Sequence, residues 1–126
     1  MERKKILIVD DERGIVYLLE ELLSSAGYET SSAATGLKAI ESIGKESFDL
    51  LILDFQLPMK NGLEIINEIS EQGIETPVIM MTGMSEQVEI LSEKINQIVG
   101  LLRKPFDIQE LFLLVEKNLS TERVNV

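Results

Sequence analysis

The chain has 126 residues, 44% of them hydrophobic, which is the size of one domain with a core of its own and leaves no room for a second. It contains neither cysteine nor histidine, so disulfides, thiolate metal centres and the usual zinc sites are excluded and any metal must be held by oxygen. A formal net charge of −10, with a pI near 4.5, opposes direct contact with nucleic acid or an anionic membrane, although it leaves room for regulating a DNA-binding partner.

The opening MERKKILIVDD begins with basic residues, but its apolar run ends at two acids after only four residues, too short for a signal peptide or a membrane span. A soluble, cytoplasmic protein is expected. KILIV reads as the first strand. The segment after it places Ile15, Leu18, Leu19, Leu22, Leu23 and Ala26 on one helical stripe that stops at Gly27. A weaker strand, YETSS, leads to a second helical segment with Leu37, Ile40 and Ile43 facing inward. LLIL is the third strand, and Leu63, Ile66 and Ile69 mark a third helix ending near Gly73. PVIMM is the fourth strand, followed by a helix capped at Ser85 with Val88, Leu91, Ile95 and Ile98 on its apolar side. The short GLLRK is the fifth strand. The last helix opens at Asp107, with Glu110 completing a capping arrangement and Ile108, Leu111, Phe112, Val115 and Leu119 turned inward.

One β then α cycle thus occurs five times, without repeats or a flexible linker. Strands one, three and four are apolar without alternation, as parallel strands covered on both faces must be. The expected fold is a doubly wound α/β sandwich around a five-stranded parallel sheet, a (βα)5 arrangement. The domain is assigned to residues 1–120. The polar ending 121–126 fits a C-terminal tail and the start of a linker equally well.

Ligands of such sheets bind beyond the carboxyl ends of the strands, where the strand order reverses. The strand ends here carry Asp10 and Asp11, Asp54, Thr82, and Lys104 followed by Pro105. Singly, each has an ordinary reading: an N-cap before ERGI for the two acids, a turn residue for Asp54, a capping hydroxyl for Thr82, a solvated lysine for Lys104. Together, at the ends of four different strands, they point to one site. Three converging carboxylates need a cation, and Lys104 with a Mg²⁺ ion satisfies that need, since Mg²⁺ takes few carboxylates and keeps several waters. A carboxylate beside a metal and a fixed ammonium can attack phosphorus to give an acyl phosphate. Asp54 is the natural nucleophile, and Thr82 a hydroxyl that can donate to a phosphoryl oxygen.

The stretches ILIVDD, LLILDFQLPMKNG, VIMMTG and LLRKPF, in this order and spacing, resemble the receiver domain of bacterial two-component response regulators over nearly the whole chain. The resemblance implies a flavodoxin-like strand order 2-1-3-4-5. It also implies Asp54 as phosphoacceptor, Mg²⁺ held by Asp11, Asp54 and the backbone carbonyl of Gln56, and Asp10 on metal-bound water. Thr82 and Lys104 would meet the phosphoryl group, and the Lys104–Pro105 bond would be cis. A signalling switch is implied rather than a turnover enzyme. Since the chain has no histidine, its donor must be another molecule: a histidine kinase, a histidine phosphotransfer protein or a small acyl phosphate. Tyr17, off the stripe of the first helix, is a candidate docking residue. Leu101 departs from the family, standing where an aromatic switch residue is usual, and Gln56 and Met84 occupy positions that, in the family, influence how water reaches the acyl phosphate. Ile90 and Leu113 point away from their stripes and, with Leu101, suggest a dimerisation or output patch on the fourth helix, fifth strand and fifth helix.

Three other readings remain. A metal-dependent aspartyl phosphohydrolase or phosphotransferase of similar fold would carry a carboxylate where Gln56 stands. A flavin or nucleotide binder would need a glycine- or hydroxyl-rich loop in place of DDERG. The third is a degenerate receiver that works without phosphate.

Overall fold

The computed structural model describes residues 3–83 and 93–119. Its elements are β1 (Lys5–Val9), α1 (Arg13–Ser25), β2 (Glu29–Ala33), α2 (Gly36–Lys45), β3 (Leu50–Asp54), α3 (Gly62–Glu71), β4 (Val78–Thr82), β5 (Ile98–Arg103) and α4 (Ile108–Leu119). The strands form one parallel sheet in the order β2-β1-β3-β4-β5, the doubly wound α/β architecture expected of the sequence. The helical segment expected between β4 and β5 has Ser85, Val88, Ile90 and Leu91 outside the described residues, as is Met84. The tail 121–126 lies outside them too.

The sheet is covered on both sides, which explains why its central strands do not alternate in polarity. Successive side chains of a strand leave opposite faces. Leu7, Val9, Leu51, Leu53, Val78 and Met80 therefore meet α2 and α3 through Ala39, Ile43, Ile65, Ile66 and Ile69. Ile6, Ile8, Leu50, Ile52, Ile79 and Met81 meet α1 and α4 through Leu19, Leu23, Leu111, Val115 and Leu119. Each such side chain contributes about 1.5–3 kcal/mol on burial, so β1, β3 and β4 are fixed from both faces. β2, an edge strand paired only with β1, keeps the mixed polarity that made it the faintest in the sequence.

Several expected details are corrected. Leu18 and Leu37 are 42% and 64% exposed. Leu18 stands roughly 120° and Leu37 roughly 140° around its helix from the buried face, which centres on Leu19 and Leu23 in α1 and on Ala39 and Ile43 in α2. Ala26 and Ile108 are exposed at helix ends, where the stripe runs out of sheet. Ile98 belongs to β5 rather than to a helix. That strand starts two residues before GLLRK because Val78 pairs with Ile98 and Ile79 with Gly100, leaving Val99 as the extra residue of a bulge. Asp107 accepts from the Gln109 N–H (2.8 Å), while the reciprocal capping box forms at α3, between Asn61 and Glu64. Leu101 is half-buried against the core and so offers little to an outer patch, whereas Leu113 and Tyr17 are 67% and 66% exposed, as expected. Among the described residues no helix is long and apolar enough to cross a membrane.

The stops of α1 and α3 fall at Gly27 and Gly73, both at positive φ. Gly62 does something different. It is the buried first residue of α3, its N–H donates to the Phe55 carbonyl (2.9 Å), and a Cβ there would lie 2.9 Å from Met80 Sδ and 3.2 Å from Phe55 Cα. Gly62 thus closes the loop that leaves β3 at Asp54. Gly44, in α2, has nothing within 4 Å of such a Cβ. Urea unfolding should separate them: Gly62→Ala loses about 1–2 kcal/mol through overpacking, and Gly44→Ala gains about 0.5–1 kcal/mol through the backbone freedom removed from the unfolded chain.

Candidate functional site

Strand register builds the site. β1 and β3 are neighbours at the point where the chain order departs in both directions, with Val9 paired to Leu53, so the residues following that pair, Asp10 and Asp54, emerge side by side. Asp54 pairs with Met81, which puts Thr82 one step beyond it on β4. The ladder between β4 and β5 extends past Thr82–Arg103 by one bond, from the Lys104 N–H to the Thr82 carbonyl (2.9 Å), and this fixes where the Lys104 stem starts. The Lys104–Pro105 bond is cis, as the resemblance implied.

Among the described residues the buried polar or charged ones are Asp10, Asp54 and Thr82, and all three lie at this rim. The carboxylates repeat one arrangement. Asp10 Oδ1 accepts from the Glu12 N–H (2.9 Å) and its Oδ2 faces Lys104 Nζ at 2.9 Å. Asp54 Oδ1 accepts from the Gln56 N–H (3.1 Å) and its Oδ2 faces Lys104 Nζ at 3.2 Å. In each, one oxygen is spent on the backbone two residues on, which sets the side-chain direction, and the other on a shared ammonium. The N-cap of α1 is Glu12 and carries no side-chain capping bond, so the ordinary reading of the two acids as an N-cap does not hold; Asp10 instead accepts from the N–H of Glu12, one step before the helix. Asp11 is exposed, yet one of its oxygens lies within 4.8 Å of oxygens of Asp10 and Asp54. Gln56 is in the same turn as Asp54, through its N–H.

The sequence reasoning missed Glu12. Its Oε1 stands 3.3 Å from Lys104 Nζ, so a third carboxylate shares the ammonium. The signal was present as the third acid of DDE, but helical spacing assigns Glu12 only to the start of α1. A cleft of about 500 Å³ opens beside the carboxylates between α1 and the start of α2, lined by Asp11, Arg13, Tyr17, Ser32 and Lys38 among others. A second, of about 410 Å³, lies at the other end of the strands, lined by Asn67, Glu75 and Gln97, and is remote from these groups.

Burial raises the pKa of Asp54, and the negative charge of Asp10 raises it further. The Gln56 N–H and Lys104 act the other way without cancelling them. Burial opposes the charge on Lys104 as well, but the hydrogen bonds and charges of Asp10 and Asp54 outweigh it and lift its pKa. The ammonium is therefore secure, whereas Asp54 holds its charge at a cost. Three carboxylates of Asp10, Asp11 and Asp54 with mutual oxygen distances within 4.8 Å are a donor set that a hard divalent cation fits: oxygen only, few carboxylates, one open and solvated side.

The response regulator receiver domain family matches residues 6–116 of the chain. Sporulation initiation phosphotransferase F of Bacillus subtilis (strain 168) is 40% identical over 119 residues, which are 94% of this chain and 96% of that protein. The alkaline phosphatase synthesis transcriptional regulatory protein PhoP of the same organism is 33% identical over 115 residues, 86% of this chain but only 45% of its own length. Among solved structures, the chemotaxis protein CheY4 of Vibrio cholerae superposes with a TM-score of 0.86 at 30% identity, covering 94% of this chain and 100% of that one.

A raised acid pKa sets the sign of a pH effect. Between the ordinary Asp value and the higher value of the fold, the native chain binds more protons than the unfolded chain, so stability falls as pH rises through that window and stays reduced above it. Asp54→Asn removes the penalty and keeps an acceptor for Lys104. With divalent cations chelated, the variant should show a higher thermal midpoint than the wild type at pH 7, and the gap should close as the pH falls through the window.

Proposed function

Because the chain belongs to the response regulator receiver domain family, we propose that it is a phosphorylation-dependent signalling switch of a two-component phosphorelay, with Asp54 as the phosphoacceptor. The observation that carries this reading is the state of Asp54: a carboxylate buried at a strand end, its pKa raised, 3.2 Å from a fixed ammonium and beside two further carboxylates.

In the proposed step an Asp54 carboxylate oxygen attacks the phosphorus of a phosphohistidine or an acyl phosphate. The oxygen–phosphorus bond forms as the bond to the donor breaks, and the donor leaves with that electron pair. Lys104 neutralises charge on the transferring oxygens, and the Thr82 hydroxyl donates to one of them. Mg²⁺, when bound, supplies the remaining positive charge; Asp11, Asp54 and the Gln56 backbone carbonyl would hold it, with Asp10 on its bound water. The donor is a histidine kinase or a histidine phosphotransfer protein, since the chain has no histidine to carry the group itself. A relative named as a phosphotransferase, matched over 96% of its length, supports placing this chain in a relay. The reading keeps the cytoplasmic location expected from the sequence, a domain over 1–120, and no sustained enzymatic turnover. It favours the receiver over an aspartyl phosphohydrolase because Gln56, not an acid, follows Asp54 by two residues.

Output is assigned to the face around β5 and α4, where Leu113 is 67% exposed and could be covered by a second copy or an output partner. Leu113→Glu should weaken self-association of the phosphorylated chain by about tenfold or more, read by sedimentation velocity, since a leucine side chain contributes about 1.5–3 kcal/mol when covered.

The central test is intact mass after incubation with acetyl phosphate, with and without Mg²⁺. The wild type should gain one phosphoryl group only with Mg²⁺, and Asp54→Asn should gain none in either condition. A wild type that stays at its starting mass with both acetyl phosphate and a kinase donor would count against the assignment.

A further inference from the structure

Lys104 carries more partners than the proposed reaction uses. A lysine ammonium has three N–H donors, and three carboxylates face it: Asp10 Oδ2 at 2.9 Å, Asp54 Oδ2 at 3.2 Å and Glu12 Oε1 at 3.3 Å. A phosphoryl oxygen on Asp54 can reach this ammonium only by displacing one of them. The three differ greatly in what their release would cost. The Asp10 side chain is fully buried, and without Lys104 it would be an uncompensated charge inside the protein. Asp54 is the group being modified. The Glu12 side chain is 62% exposed, so water takes over its solvation as it leaves.

We propose that Glu12 is a positioning residue that competes with the phosphoryl group for the Lys104 ammonium, and so holds down phosphorylation of Asp54 by small acyl phosphates in solution. The proposal rests on Asp54 being the phosphoacceptor. In the phosphorylation step an Asp54 oxygen bonds to phosphorus, and the acyl phosphate donor leaves as its carboxylate. Glu12 takes no part in the bonds made and broken. It acts through Lys104, whose third donor it occupies until the phosphoryl oxygen arrives. The backbone of Glu12 is held for this by its own N–H on Asp10 Oδ1 (2.9 Å), so the carboxylate springs from the turn that orients Asp10. Glu12 is the N-cap of α1 but its side chain makes no capping hydrogen bond, so neither substitution removes a cap.

Two variants separate direct competition from a general effect of charge. Glu12→Gln removes the charge at constant size. Glu12→Asp keeps the charge but shortens the arm by one methylene, which withdraws the carboxylate from Lys104. The wild type, both variants and Asp54→Asn are incubated with acetyl phosphate at saturating Mg²⁺, and initial rates are read from intact mass. Binding of beryllofluoride, a phosphoryl mimic that transfers nothing, is read in parallel by ¹⁹F NMR. Both Glu12 variants should be phosphorylated about two- to fivefold faster than the wild type and should bind beryllofluoride more tightly by a similar factor. Asp54→Asn should remain unmodified. Unchanged rates and affinities in Glu12→Gln overturn the proposal. So does a Glu12→Asp chain that stays at the wild-type values while Glu12→Gln speeds up, because charge near the site, not occupation of Lys104, would then be the cause. A wild-type chain that neither gains mass nor binds beryllofluoride overturns the phosphoacceptor reading and this inference with it.

Discussion

Asp10 and Asp54 are buried next to each other, and one ammonium lies between them and the cost of that arrangement. At an effective dielectric constant of ~20, two carboxylates some 5 Å apart repel by about 3–4 kcal/mol, while a carboxylate and an ammonium about 3 Å apart attract by about 5 kcal/mol. These opposing quantities are close in size. Desolvation therefore decides the balance at Asp54, and it decides against the charged form, which is why burial is the leading cause of the raised pKa. Without Lys104 the rim could not be both buried and ionised.

The remainder of the fold can be understood as what holds those three groups at fixed positions. Alternate residues of β1 and β3 are packed by helices on opposite faces, so neither strand can rotate or slip without exposing a row of buried aliphatic side chains. The turn after each strand then uses one carboxylate oxygen to bind its own backbone N–H, at Glu12 and at Gln56. Lys104 is set by a ladder bond to Thr82. Gly62 brings α3 against Phe55 and Met80, which shortens the loop leaving Asp54. A site assembled this way is organised before any ligand arrives, with its reorganisation cost met during folding.

The parts of this arrangement that the sequence revealed are those governed by periodicity and by strand ends. The unbroken apolar runs of β1, β3 and β4 announced a sheet covered on both faces, and the residues ending those strands were found together at one rim. Other parts depend on tertiary detail that periodicity does not carry. Leu18 and Leu37 looked like core residues because they extend an apolar stripe, yet the direction each helix presents to the sheet is set by Leu19, Leu23, Ala39 and Ile43, whose small and large side chains fit the strands beneath. The bulge at Val99 hid the true start of β5, since an inserted residue breaks the period it interrupts. Glu12 was invisible for a related reason: its partner lies 92 residues away in sequence, and only the packing of β1 against the rest of the sheet brings Lys104 to it.

Exposure gives this cluster an order in which it can change. Asp10 is buried with one oxygen on the backbone and one on Lys104, so it is the group whose bonds cost most to break. Asp54 has the same two attachments but a raised pKa, so neutralising it relieves a repulsion already present in the fold. Among the described residues the Glu12 side chain has one attachment, and it is mostly in water. The rim is thus graded from a rigid inner anchor, through a strained middle carboxylate, to an outer carboxylate held only by the shared ammonium. Chemistry that adds negative charge at the middle position must draw the ammonium toward itself, and the partner that yields is the outermost. The same lysine backbone is bonded to β4, so the competition takes place at a fixed point of the sheet rather than on a free arm.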